Sequence, residues 1–180
     1  MDRVLEIGGF GARFCGRLFV QGKSEVVRIE SVESMAGWVS EAAMEAYLDA
    51  GKRRLQTNKK DLIAALAKKA DVVILDARDA DTVERIGFDT WETPVKVAIT
   101  PFGRTGPKRN WQATPNVLLA MGGYTKVMGD EDRAPLTLPG HYVEFQSGTF
   151  AYAAANACRL AEERNTIDIS MLEAVMALSQ

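Results

Sequence analysis

The chain has 180 residues, 47% of them apolar and 26% charged, with a formal net charge of -2. That length suits one domain, or one domain with an appendage, and that apolar content provides a core rather than disorder. The near-neutral charge gives nucleic acid or an anionic membrane nothing to bind, so neither is expected as a partner.

In chain order, Val4-Leu5-Glu6-Ile7 reads as a strand ending at Gly8-Gly9. Residues 11–20 read as a helix with Phe14 and Leu18 on one face, and Glu25-Val26-Val27-Arg28-Ile29 as a second strand. Residues 31–56 are mixed polar and Ala-rich, and stay open between helix and excursion loop. Lys59 to Lys69 is an amphipathic helix with Asn58 as its cap. Asp71-Val72-Val73-Ile74-Leu75 has the near-continuous apolar run of a strand buried on both faces of a parallel sheet. Asp79 to Ile86 forms a short helix stopped by Gly87, Val95 to Thr100 another strand, and residues 101–107 a Gly/Pro loop. Pro115 to Met121 is a brief helix ended by Gly122-Gly123. A long Ala-rich helix follows from Phe145 to Glu163, then a strand over Thr166 to Ile169. Ser170 caps a last helix, with Glu173 in capping-box register. Strand–helix alternation predicts an α/β fold, a Rossmann-like, mostly parallel sheet with helices on both faces. The ligand is expected at the carboxyl ends of the strands, near a switch in strand order.

Two cysteines, Cys15 and Cys158, and one histidine cannot supply the four ligands of a structural zinc site, so no metal is expected. Both thiols should be free, as in a reducing cytosol. No apolar run approaches the roughly 20 residues that span a bilayer. The opening Met1-Asp2-Arg3 lacks the basic and apolar regions of a signal peptide, so a cytoplasmic location is expected.

Three stretches could carry chemistry. Gly8-Gly9-Phe10-Gly11 begins like a dinucleotide fingerprint, and Glu30 stands near a ribose-binding position. Phe14, however, replaces the small residue that helix–strand packing wants, which leaves a generic anion or phosphate role for this turn. Phe102-Gly103-Arg104-Thr105-Gly106-Pro107 is either a ligand-facing loop or an ordinary turn. Pro139-Gly140-His141-Tyr142-Val143-Glu144 brings a carboxylate to the start of the long helix. Glu144 there is either a covalent nucleophile or a first-turn charge. His141 has no serine partner and no GxSxG elbow, so it is assigned a structural or supporting role.

The order of these segments resembles the class III CoA-transferases, the group that includes formyl-CoA, carnitine and racemase-type enzymes. Six places carry the likeness. They are residues 4–7 with Cys15-Gly16-Arg17-Leu18, residues 25–30, Ala70-Asp71-Val72-Val73, and Glu84-Arg85-Ile86-Gly87-Phe88. The loop at 102–107 and Ile167-Asp168-Ile169-Ser170-Met171-Leu172-Glu173-Ala174 complete them. The resemblance implies an enzyme that moves coenzyme A between carboxylic acids through a carboxylate that forms a mixed anhydride and then an enzyme thioester. The nucleophile's position falls on Glu144, with Gly148 as the glycine that follows it. CoA-contacting positions fall on Gly9, Phe10, Gly11 and Ala12, on Asp76 and Ala77, on Arg85 and Ile86, and on Phe102. Arg85 would be the cation for a CoA phosphate. CoA or acyl-CoA would be a substrate, with no tightly bound cofactor, and residues 1–180 would be the large N-terminal domain. A homodimer or a second subunit would complete the assembly.

Departures are also readable. Glu stands where the family has Asp. Asp76-Ala77-Arg78-Asp79-Ala80 replaces an Asn-Phe-x-Pro-Gly turn, and Asp76 is expected to repel phosphate. After the second strand, Ser31 to Met35 replaces a Gly-Asp and an Arg. Thr114 and Pro115 fall where racemases carry a His-Asp pair, and family members are about twice as long. Three readings result: a CoA-transferase, a catalytically degenerate relative kept for binding or assembly, and a Rossmann dinucleotide binder.

Overall fold

The computed structural model describes residues 1–30 and 42–177. The strands are β1 (Arg3–Gly8), β2 (Glu25–Glu30), β3 (Arg53–Gln56), β4 (Val72–Asp76), β5 (Val95–Thr100) and β6 (Asn165–Ser170). The helices are α1 (Phe10–Gln21), α2 (Ala42–Asp49), α3 (Lys60–Lys69), α4 (Ala80–Ile86), α5 (Pro115–Met121), α6 (Tyr124–Val127), α7 (Tyr142–Leu160) and α8 (Met171–Met176). The strands form one wholly parallel sheet in the order β3-β2-β1-β4-β5-β6. Order reverses between β1 and β4, where Gly8 lies opposite Asp76. That is the switch point at which open α/β sheets bind ligands.

The period-2 alternation of a strand sends successive side chains to opposite faces. Val4, Val72, Ile74, Val97 and Ile99 enter one core with Ala12, Cys15 and Phe19 of α1 and Val143, Ala151 and Ala155 of α7. Leu5, Ile7, Val73, Leu75 and Ala98 enter the other with Ile63 and Ala67 of α3 and Val83 of α4. Helices therefore cover both faces.

Several boundaries differ from those read in the sequence. The Ala-rich helix starts at Tyr142 rather than Phe145, so Glu144 lies inside its first turn rather than just ahead of it. Val143 is fully buried, and this packing draws the helix start back toward Gly140. Lys59, not Asn58, is the N-cap of α3. Asp79 caps α4 by accepting a bond from Thr82 N at 2.7 Å. Of the open stretch 31–56, helix α2 and strand β3 account for the described part. Residues 31–41, with the Ser31–Met35 departure, lie outside the described residues. Ser170 does cap α8, accepting from Glu173 N.

Helix α7 crosses α1 at Gly148. A Cβ there would stand 2.6 Å from Gly11 O and 3.2 Å from Cys15 N, both backbone atoms of α1. Overpacking of this kind costs about 1–3 kcal/mol, more than the roughly 1 kcal/mol of helix propensity that alanine adds over glycine. Gly148→Ala should therefore lower the urea midpoint. An unchanged midpoint would mean that the two helices separate without cost.

Candidate functional site

Strand β1 ends in Gly8 with φ of +109°, and a Cβ there would lie 2.0 Å from Asp76 O. Only glycine fits this close approach and this backbone conformation. The chain then turns at Gly9, the N-cap of α1, with no side chain capping it. The cap comes from across the sheet instead. Asp76 Oδ2, at the end of β4, accepts from Gly11 N at 2.9 Å and Ala12 N at 3.4 Å. Two of the amide groups expected to receive an anion, those of Gly11 and Ala12, are thus engaged by a carboxylate of the chain itself. Burial is the main force pushing the Asp76 carboxyl up to about 7; the two amide bonds oppose it, and Glu144 adds to it.

Glu144 sits in the first turn of α7 but is only 2% exposed. It is not a solvated first-turn charge. It belongs to a buried stripe of Val143, Ser147, Gly148, Ala151 and Ala155, whose small side chains let α7 lie close to α1. The Glu144 backbone O and Asp76 Oδ2 both fall within 3.4 Å of the Cβ position at Gly11. Oε1 of Glu144 lies 3.3 Å from His141 Nδ1. Oε2 is buried with no hydrogen-bond partner among the described residues. The His141 ring stacks on Phe10 with centroids 3.8 Å apart, and Phe145 stacks on Phe14 at 4.5 Å. Beside them, Tyr124 and Tyr142 share a hydroxyl contact of 3.1 Å. That bond, followed by burial, pushes the Tyr124 phenol up to about 12.

The sequence-expected residues divide into two groups. Gly9, Phe10, Gly11, Ala12, Asp76 and Glu144 converge on the switch crevice. Ala77 follows β4 directly and donates its N–H to Ile99 O. Phe102 packs over the β5 end of the first core, edge-on to Trp111 at 6.0 Å. Arg85 and Ile86 lie at the last turn of α4. Arg85 is exposed and bonds Thr82 in its own helix at 2.9 Å, and Ile86 packs against the second core. Among the described residues, the contacts of both lie away from Asp76 and Glu144. The Gly/Pro loop is tied down where Arg104 N donates to Asp168 Oδ2 at 2.8 Å.

The residue reading missed a buried charge cluster under α1. Glu6 is fully buried and accepts from Arg28 at 2.8 Å and Lys52 at 2.5 Å. Arg13, whose guanidinium lies over the Phe10 ring, pairs with Asp49 at 2.8 Å. Gly16 leaves the room for this: a Cβ there would meet Glu6 Oε2 at 1.9 Å. The available signal was Glu6 and Arg28 alternating with apolar residues on the inward face of their strands. A separate, mostly apolar cavity of about 180 Å³, lined by Val4, Val27, Leu66 and Ala70 among others, opens at the opposite end of the strands.

The family model for CoA-transferase family III matches residues 3–180. The chain belongs to CoA-transferase family III. A succinyl-CoA–D-citramalate CoA-transferase from Chloroflexus aurantiacus is 27% identical over 203 aligned residues, covering 99% of this chain and 50% of that protein. A succinate–glutarate CoA-transferase from Agrobacterium fabrum is 23% identical over 206, covering 98% of this chain and 51% of that one. A CAIB/BAIF family protein from Brucella suis shares the fold, with a TM-score of 0.84 at 20% identity, covering 98% of this chain and 54% of that chain. The chain spans about half the length of the curated relatives it matches. Among the described residues, no helix is long and apolar enough to cross a membrane.

Proposed function

We propose that this family III chain transfers coenzyme A between carboxylic acids with Glu144 as the nucleophile. The observation that carries the reading is the burial of Glu144 at the switch crevice, against the first turn of α1. In the proposed reaction the carboxylate attacks the thioester carbonyl of an acyl-CoA, the C–S bond breaks and CoA leaves as thiolate. This forms a mixed anhydride between Glu144 and the donor acid. The thiolate then attacks the glutamyl carbonyl and releases the donor carboxylate, leaving a glutamyl–CoA thioester. An acceptor carboxylate reverses the sequence. Gly9 to Ala12, with Phe102, would face the CoA.

Residues 1–180 would form the large N-terminal domain of the enzyme. Either a homodimer or a second subunit would complete the assembly, in a cytoplasmic protein. The names of the two curated relatives described above contain a succinate or succinyl group, which makes succinyl-CoA the first donor to try.

Incubation with succinyl-CoA should add the mass of CoA, less one water, to the intact wild-type chain. Glu144→Gln should gain nothing. The same adduct on both proteins would remove Glu144 from the role. A second reading, a non-catalytic relative kept for binding or assembly, is favoured by the Asp76 carboxylate on the α1 amides. An unlabelled wild type would support it.

A further inference from the structure

We propose that His141 is the positioning residue of Glu144; the proposal rests on the transferase reading above and deepens it. A carboxylate nucleophile only accepts hydrogen bonds, so in the proposed role the 3.3 Å contact has His141 Nδ1 donating to Oε1. The donor is itself held. Its ring stacks on Phe10 at 3.8 Å and lies 5.9 Å from the Phe145 ring, on the next turn of the same helix. Phe10 is buried beneath it, with the Arg13 guanidinium 5.5 Å from its ring centroid. His141 is partly exposed, with 26% of its side chain accessible, whereas Glu144 beneath it has 2%. The imidazole therefore lies over the carboxylate, between it and solvent.

This arrangement answers a specific problem of a glutamate nucleophile. A glutamate has one more rotatable bond than an aspartate, and a misplacement of about 1 Å can cost on the order of a hundredfold in rate. A bond to one oxygen from a ring clamped against α1 fixes that added torsion. Because α1 also carries Gly9 to Ala12, the clamp ties the carboxylate's position to the segment that would meet the CoA.

His141 is the sole histidine of the chain, so its imidazole can be observed alone. In protein labelled with ¹⁵N-histidine, Nδ1 should carry the proton in the wild type. In Glu144→Ala the proton should move to Nε2, the preference of an unpaired imidazole. The same tautomer in both proteins would overturn the pairing, whether or not any CoA chemistry occurs.

The positioning role is read from adduct formation with succinyl-CoA. His141→Phe keeps a ring to stack on Phe10 but removes the donor. It should slow labelling at saturating donor by roughly 10- to 100-fold and leave the half-saturating concentration and the melting temperature close to wild type. His141→Asn, whose amide can stand near Nδ1, should recover part of the rate. Unchanged labelling by His141→Phe, or a loss matched by an equal fall in melting temperature and not rescued by Asn, would overturn the role. A wild type that takes no label would sink the transferase reading, and the positioning role with it; the tautomer would then decide the pairing alone.

Discussion

Lys52→Met should destabilise the protein by about 3–5 kcal/mol, the cost of breaking a buried ion pair from one side. The Lys52 ammonium is fully buried, bonded to Glu6 Oε2 at 2.5 Å and to Arg13 O at 2.7 Å. Burial drives its pKa below the ordinary lysine value, and the neighbouring Glu6 opposes that shift. Methionine would fill the space and supply neither donor. Among the described residues Glu6 would keep Arg28 on its other oxygen, and the Arg13 carbonyl, inside α1, would lose its side-chain donor. The Glu6 carboxylate cannot turn to water, because it is fully buried. The damage should be non-additive: Glu6→Met with Lys52→Met removes the orphaned carboxylate, so the double variant should be less destabilised than the sum of the singles. Urea melts of the four proteins measure this. A loss below about 1 kcal/mol for Lys52→Met, the range of exposed pairs, would show that the cluster is hydrated in solution.

Asp76→Asn should stabilise the protein, and the gain should depend on pH in a set direction. The Asp76 carboxyl is raised from its ordinary 3.8 to about 7, chiefly by burial, with Glu144 adding to the rise. Between those values the folded state holds a proton that the unfolded state has released, so stability falls as pH rises across that window. Above about 7 the penalty is complete, and below about 4 it is absent. The difference between 3.8 and about 7 corresponds to at most roughly 4 kcal/mol. Asparagine keeps an oxygen for the Gly11 and Ala12 amides and never ionises. The variant should exceed wild type by about 1–3 kcal/mol near pH 8, with the difference closing toward pH 4. A difference that is constant with pH, or of opposite sign, would show that Asp76 is ionised at no cost in its crevice.

Much of the fold was legible because the strands flanking the switch point are apolar. Residues 72–75 are buried on both faces and announce themselves. β3 did not: it is a four-residue edge strand paired only with β2, and Arg53 and Arg54 lie exposed, so no apolar run marks it. The proposed role of Glu144 could be read from its place in the motif order. Its burial could not, because the stripe around it is made of Ser147, Gly148 and alanines, a pattern with little hydrophobic contrast. Asp76 was read incompletely. Its charge suggested repulsion of a ligand, whereas the folded chain uses it to satisfy the first amides of α1 across a sheet. Contacts at a separation of 65 residues leave no local signature. Arg85 followed the family's motif to the far end of a short helix, away from the contacts that define the crevice.

In the proposed reaction Glu144 carries the acyl and CoA groups in turn. Quenching a succinyl-CoA reaction with hydroxylamine converts an enzyme acyl thioester into a hydroxamate that peptide mapping can place. One hydroxamate is expected, at Glu144, and none in Glu144→Gln. A hydroxamate at Asp76 or at any other carboxylate, with Glu144 unmodified, would contradict it.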